Sequence, residues 1–431
     1  MSEQDWTEMW KTLDLDLDVH AGLLSVLGQF YGDAFLSQQN RPEGMAYLDF
    51  VVSEVHGLRI KELFDAKEQG RKVFGTFCVF VPEELVLAAN GVCVGLCSGA
   101  DAGMAEAEKH LPRNTCALIK SFMGFKLARI CPYVESCDLI VGETTCDGKK
   151  KAYEAFEQFK PMHVMEIPQM KTGSCDREMW KGEIYRLKAK IEEVSGNEIT
   201  EESLAAAIKK VNAKRRALHR LNNLRSADPA PISGLDALLI NQVSFYDDPD
   251  RFTAKLNELC DELEQRVADG VGVMPAGTPR ILLSGSPMAV PNWKVPLLVE
   301  QSGAVVVGEE ACIGERNYRD LVPEEATTMD AMIDAMVDRS MKIDCACFTP
   351  NNERLDNVVD YVRRQKADGI VHYAITFCGP YTMEAFKVDE RARAEDIPFM
   401  KIESDYSMED MGQIKTRVEA FVEQLTEVRV G

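Results

Sequence analysis

No stretch of the chain approaches the ~18 consecutive apolar residues that a membrane span requires, so none of it reads as a transmembrane helix. The amino terminus, MSEQDWTEMWKTLDLDLD, is acidic and has no apolar segment of the kind a secretory signal carries. Positive charge is also scarce: 49 Lys and Arg stand against 70 Asp and Glu, a formal net charge of −21. Nucleic acid demands a basic footprint and an anionic membrane surface repels an acidic chain, so neither is an expected partner. The expectation is a soluble, cytoplasmic protein whose acidity serves solubility.

The usual ligand signatures are missing too. There is no G-x-G-x-x-G turn for a dinucleotide. The nearest approach to a phosphate loop is GETTCDGKKKAYEAF, Gly142 to Phe156. In it five residues rather than four separate Gly142 from Gly148, and Lys150 stands where a magnesium-binding Ser or Thr belongs. An ammonium cannot coordinate a cation, so the nucleotide reading fails. The paired C-x-x-C spacing of zinc sites and the ferredoxin run C-x-x-C-x-x-C are both absent. Histidine is scarce at 6, and His163 and His372 fall within apolar runs, where core positions are the expectation.

Cysteine, by contrast, is plentiful: 13 residues, from Cys78 to Cys378. With no export signal the thiols are expected to stay reduced, and no disulfide framework follows. Some must be small core residues. Their positions suggest more.

The chain, 431 residues long and 45% hydrophobic, is ample for two domains. KVFGTFCVFV, GVCVGLCSGAD, CDLIVGETTC and PMHVMEIPQM are short β-rich runs separated by helix-like segments. RILLSGSPMA, GAVVVGEEAC, GIVHYAITFC and PFMKIESDYS repeat that alternation later. Such alternation predicts parallel α/β sheets. Between them lie helix formers, with Thr200 as an N-cap ahead of Glu201 and Glu202, and the loop SADPAPISG as an interruption. The basic run KKVNAKRR reads as a solvated helix face. The expected fold is α/β: two Rossmann-like parallel-sheet lobes joined by a helical segment. The expected divisions are a helical extension (1–50), an N-terminal lobe (51–172), the helical segment (173–275) and a C-terminal lobe (276–431).

In open parallel sheets ligands gather at the carboxyl ends of strands and the starts of the following helices. Cys78, Cys97, Cys146, Cys312 and Cys378 all fall there, and Cys116 lies near a helix start. Thiolates offered singly from several loops of both lobes suit an iron–sulfur cluster held in the cleft between them. A single nucleophilic cysteine with a histidine base remains open, though it leaves the other strand-end cysteines without a role.

At LPRNTCALIKSFMGF, CPYVESCDLIVGETTCDGKKKAYEAF, FKPMHVMEIPQ and DYSMEDMGQIKTRVEAF the chain resembles the double-cubane cluster proteins, relatives of the 2-hydroxyacyl-CoA dehydratase subunits. The resemblance runs from about Arg71 to Leu425. It implies a homodimer with an iron–sulfur centre between the lobes of each subunit. Cys116 in NTCALIKS, Cys146 in GETTCDGKK and Cys378 in TFCGPYT match the ligands of a first cubane. In the double-cubane branch a sulfide bridges it to a second, giving [8Fe-9S]. About three of Cys78, Cys97, Cys131, Cys312, Cys345 and Cys347 would bind that second unit. Cys312 stands apart in that EEACIGERNY departs from the family's usual, more polar follow-on. Cys93, Cys137, Cys175 and Cys260 read as ordinary thiols.

The resemblance also implies a partner. A separate dimeric ATPase carrying its own [4Fe-4S] cluster would deliver single electrons at very low potential for reduction of a small-molecule substrate, an anaerobic chemistry. Glu143, just before the Cys146 loop, is a candidate for proton delivery. Lys149, Lys150 and Lys151 would add positive charge near the cluster or at a docking face, unless they are simply solvated. Two rivals stand beside this reading. One is a subunit of a 2-hydroxyacyl-CoA dehydratase with a single [4Fe-4S] cluster, and the other a non-catalytic iron–sulfur carrier.

Overall fold

The computed structural model describes residues 5–430. Along the chain come α1 (Thr7–Thr12), α2 (Leu17–Tyr31), α3 (Met45–Ser53) and α4 (Leu58–Glu68). The first lobe follows with β1 (Val73–Thr76), α5 (Glu83–Ala88), β2 (Val92–Gly95), α6 (Met104–Ala107), α7 (Ala117–Leu127), α8 (Pro132–Ser136), β3 (Leu139–Glu143), α9 (Asp147–Phe156) and β4 (Met162–Met165). Four helices come next: α10 (Ser174–Ser195), α11 (Glu201–Leu224), α12 (Gly234–Val243) and α13 (Pro249–Ala268). The second lobe opens with β5 (Arg280–Gly285), α14 (Lys294–Gln301), β6 (Val305–Glu310), α15 (Glu315–Tyr318), α16 (Met329–Met341) and α17 (Asn352–Gln365). It closes with β7 (Gly369–Ile375), α18 (Gly379–Ala394), β8 (Phe399–Ser404) and α19 (Met411–Val430).

Each of the eight apolar runs contains a strand. All pairings are parallel, in the orders β2-β1-β3-β4 and β6-β5-β7-β8. β1, β3, β5, β6 and β7 are buried at every residue because helices cover both sheet faces, which is why they read as mainly apolar runs, with Glu143, Arg280, Glu309, Glu310 and His372 as buried exceptions. The edge strands β4 and β8 are only partly buried. In both lobes the chain lays its second strand on one side of the first and its third on the other. This reversal leaves a crevice at the carboxyl ends of β1 and β3, and of β5 and β7.

Side chains at the helix starts fix the connecting helices. Thr200 Oγ1 accepts from Ser203 N–H at 3.1 Å, capping α11. The basic run on α11 departs from the expected solvated face: Lys214 and Arg215 are buried against Glu83 and Glu84 of α5. Their neighbours Lys210 and Arg216 do face outward, to Asp250 and Glu324. At one residue per 100° a helix cannot keep eight consecutive positions on one face. The N-terminal helices are tied to the helical segment by Arg41, which pairs with Asp49 at 2.6 Å and with buried Asp236 of α12 at 2.8 Å. Glu262 of α13 accepts from the Glu43 and Gly44 N–H groups at 2.8 and 2.7 Å.

Candidate metal centre between the lobes

A cavity of about 120 Å³ opens where the two crevices face each other. Eight of the 13 cysteines line it, from both lobes, together with mostly apolar side chains. Three sit at helix N-caps: Cys116 before α7, Cys146 before α9 and Cys378 before α18. There the first backbone N–H groups of a helix are free to face a sulfur and the helix dipole favours negative charge. The Lys149 N–H donates to Cys146 Sγ at 3.4 Å, and the N–H groups of Ile119 and Tyr381 act likewise on Cys116 and Cys378. Cys78, Cys97 and Cys312 each lie two residues beyond the ends of β1, β2 and β6, and Cys345 and Cys347 come from the loop between α16 and α17.

Cys131 is the exception among the expected ligands. It caps α8 on the other side of the lobe and faces a separate cavity beneath the N-terminal helices. Cys131 stood among the expected ligands through the resemblance alone, and its helix cap lies outside the thiol pocket. Of the cysteines read as ordinary, Cys137 and Cys260 are buried, Cys93 lies within β2 and Cys175 is exposed, all away from the pocket.

Burial pushes the Cys97 and Cys378 thiols up to about 12 and raises Cys116. Cys345 goes the other way. The hydrogen bond from Cys347 outweighs burial and, with the Arg316 charge and the Tyr381 hydroxyl, brings it down to about 6. Cys78 and Cys312 likewise share a hydrogen bond, which lowers Cys312 and raises Cys78.

Two cations serve this pocket. Lys149 lines it and is held from behind by Glu143, which is fully buried at the end of β3 and does not itself line the cavity. Glu143 Oε1 also accepts from the Tyr153 hydroxyl at 3.4 Å, whereas Oε2 has no partner among the described residues. Burial raises the Glu143 carboxyl, against the pull of Lys149. Lys150 and Lys151 point outward to Asp147 and Glu154, so the lysine triplet divides into one pocket residue and two surface ones. Gly142 is explained by packing rather than phosphate: a Cβ there would come within 2.7 Å of the Tyr153 ring.

On the opposite wall Tyr381 lines the pocket, with its hydroxyl 3.5 Å from Cys345 Sγ. It accepts from buried Arg316, which with Arg354 also grips Glu310 of β6. Arg316 had a visible signal, four residues after Cys312 in CIGERNY, as did Tyr381, three after Cys378 in CGPYT. Gln242 and Phe245, contributed by the helical segment, had none.

Among the described residues no three His, Cys, Asp or Glu side chains converge closely enough to hold a single metal ion. That arrangement is the wrong one for a cubane, in which each thiolate binds a different corner iron, so the sulfurs must surround a space rather than meet at a point. The donor set is uniform: thiols line the cavity, and among the described residues no histidine or carboxylate does. Soft thiolates in an apolar pocket fit iron–sulfur chemistry.

Fold and pocket together define a class: a two-lobed α/β protein with a thiol-walled crevice at paired switch points. The chain belongs to the family described as 2-hydroxyglutaryl-CoA dehydratase, D-component, whose pattern matches residues 78–425. It is 39% identical over 375 residues to YjiM of Escherichia coli, a provisionally named dehydratase subunit, covering 86% of this chain and 96% of that one. The (R)-phenyllactyl-CoA dehydratase beta subunit of Clostridium sporogenes is 26% identical, covering 83% and 93%. A benzoyl-CoA reductase subunit of Thauera aromatica is 20% identical, covering 83% and 92%. The chain is therefore a component of the enzyme class to which these dehydratase and reductase subunits belong.

Proposed function

We propose that this protein is the iron–sulfur component of an ATP-dependent reductase, a homodimer holding a double-cubane [8Fe-9S] cluster between the lobes of each subunit. The observation that carries this reading is the surplus of thiols: eight in one pocket, against about three for a single cubane in this family. Cys116, Cys146 and Cys378, at the three helix starts, hold the first cubane. Three of Cys78, Cys97, Cys312, Cys345 and Cys347 hold the second. Bound there, the cluster would supply one-electron reduction at very low potential.

The chain's own residues prepare that chemistry. Backbone N–H groups at the starts of α7, α9 and α18 and the Lys149 charge offset the negative charge gathered by thiolates and sulfides. Arg316 does the same through Tyr381. Lys149 Nζ holds a proton at the pocket wall, and the Glu143 carboxylate behind it keeps that proton in place. Apolar walls keep water away. The electron donor is a dimeric [4Fe-4S] ATPase. Exposed Phe377, immediately before Cys378, with Met383 and Phe386 on α18 (57%, 77% and 66% exposed), supports docking over this end of the pocket.

The dehydratase reading is favoured by the names of several relatives, and would make the chain one subunit of a 2-hydroxyacyl-CoA lyase with a single [4Fe-4S] cluster. Turnover with the partner ATPase separates the two. ATP-dependent reduction of a small acceptor by this protein alone with its ATPase is expected. Dehydration of a 2-hydroxyacyl-CoA, with no acceptor reduced, would overturn the proposal.

A further inference from the structure

A second and larger cavity, about 630 Å³, lies between the N-terminal helices and the first lobe. It meets the thiol pocket at a shared wall of Gly95, Cys97 and Gln242. Three of the chain's four tryptophans, Trp6, Trp10 and Trp293, face it, along with Tyr31, Phe50 and Tyr133. An apolar cavity of ~150 Å³ is enough for benzene, so this one accommodates a ring with room for substituents, within the size range of small-molecule sites.

Its charge is as informative as its size. Among the described residues no lysine or arginine lines it, and Asp49, the one carboxylate that does, is already paired with Arg41 at 2.6 Å. The one wall side chain able to take up positive charge is His56, whose Nδ1 is joined to His20 Nε2 at 3.0 Å. Burial holds that ring neutral, down to about 3. No group in this wall would balance a phosphate or a carboxylate, and burying an unpaired anion is costly. One donor stands unused: the buried Trp6 Nε1 has no partner among the described residues.

We infer that this cavity holds the molecule to be reduced, and that this molecule is uncharged, largely apolar and ring-bearing, with an acceptor atom for the Trp6 N–H. The role rests on the reductase reading; the binding site does not. Entry would be from beneath the N-terminal helices, with Cys97 forming the boundary toward the cluster.

Equilibrium dialysis of the iron-loaded protein tests this with acetophenone, benzoate and free coenzyme A as probes. Acetophenone should bind at least tenfold more tightly than benzoate, and coenzyme A should not bind at this site. Leu27→Trp and, independently, Leu23→Trp fill the cavity from α2, far in sequence from the thiols. Each should weaken acetophenone at least tenfold at unchanged iron content. Equal binding of benzoate, or unchanged acetophenone affinity in both variants, would overturn the inference. Iron content judges the cluster separately: selective acetophenone binding to a protein with half the expected iron would sink the reductase reading and leave the site standing.

Discussion

At the scale of single residues the central feature is Lys149, which turns inward to Glu143 while its two neighbours turn out. Removing one partner of a buried ion pair strands the other, at about 3–5 kcal/mol. Lys149→Met should therefore lower unfolding stability by about that amount, and Glu143→Gln by clearly less, because a neutral amide remains hydrogen-bonded. Chemical denaturation of both variants checks this; a loss below about 1 kcal/mol in Lys149→Met would contradict the pairing. The cysteines divide in the same way. Cys146→Ser or Cys378→Ser should lose cluster iron, whereas Cys131→Ser and Cys260→Ser should keep it, and iron analysis of the four proteins decides. Strand ends are readable from where an apolar run stops, so most pocket thiols could be found in the sequence. The side of a sheet on which a helix cap lies is set by the whole lobe, so the placing of Cys131 could not.

At the scale of elements, the eight strands were legible as short, mainly apolar runs, most clearly where both faces are buried, as in β1, β3, β5, β6 and β7. The helices of the middle segment declared themselves through capping and composition, as at Thr200. The inward face of α11 did not, because it depends on Glu83 and Glu84, more than a hundred residues away. Lys214→Ala should accordingly destabilise the protein, leaving Glu83 facing a buried gap, while Lys210→Ala should change stability by less than about 0.5 kcal/mol. Thermal unfolding of the pair checks this.

The N-terminal helices carry their own signature in His20 and His56, packed beside Trp10. Burial pushes His20 down to about 4, and burial with the neighbouring ring takes His56 to about 3. Both are neutral in the fold, whereas in the unfolded chain each takes up a proton below about 6.5. Their contribution to stability is present above that pH and is lost as pH falls toward 4, up to about 3 kcal/mol for His20. Tryptophan fluorescence should report loosening of these helices between pH 6.5 and 4. A His20→Phe variant, which cannot take up the proton, should show less of it.

At the scale of the whole molecule, two lobes with the same strand order face each other across thiols that neither could gather alone. That convergence was legible only in outline: the cysteines were visible singly, but the helical segment's share of the wall, Gln242 and Phe245, depends on how α12 packs between the lobes. The exposed apolar residues beside Cys378 belong to this scale as well. Met383→Asp combined with Phe386→Asp should weaken coupling to the partner ATPase at least tenfold and leave iron content unchanged; undiminished ATP-dependent turnover would remove them from the docking surface.

The most direct test of the account is the iron and acid-labile sulfide content of each subunit, measured on protein purified without oxygen. The bridged double cubane predicts about eight irons with slightly more sulfide. About four irons per subunit would contradict it, leaving five pocket thiols without a metal and returning the chain to the dehydratase branch.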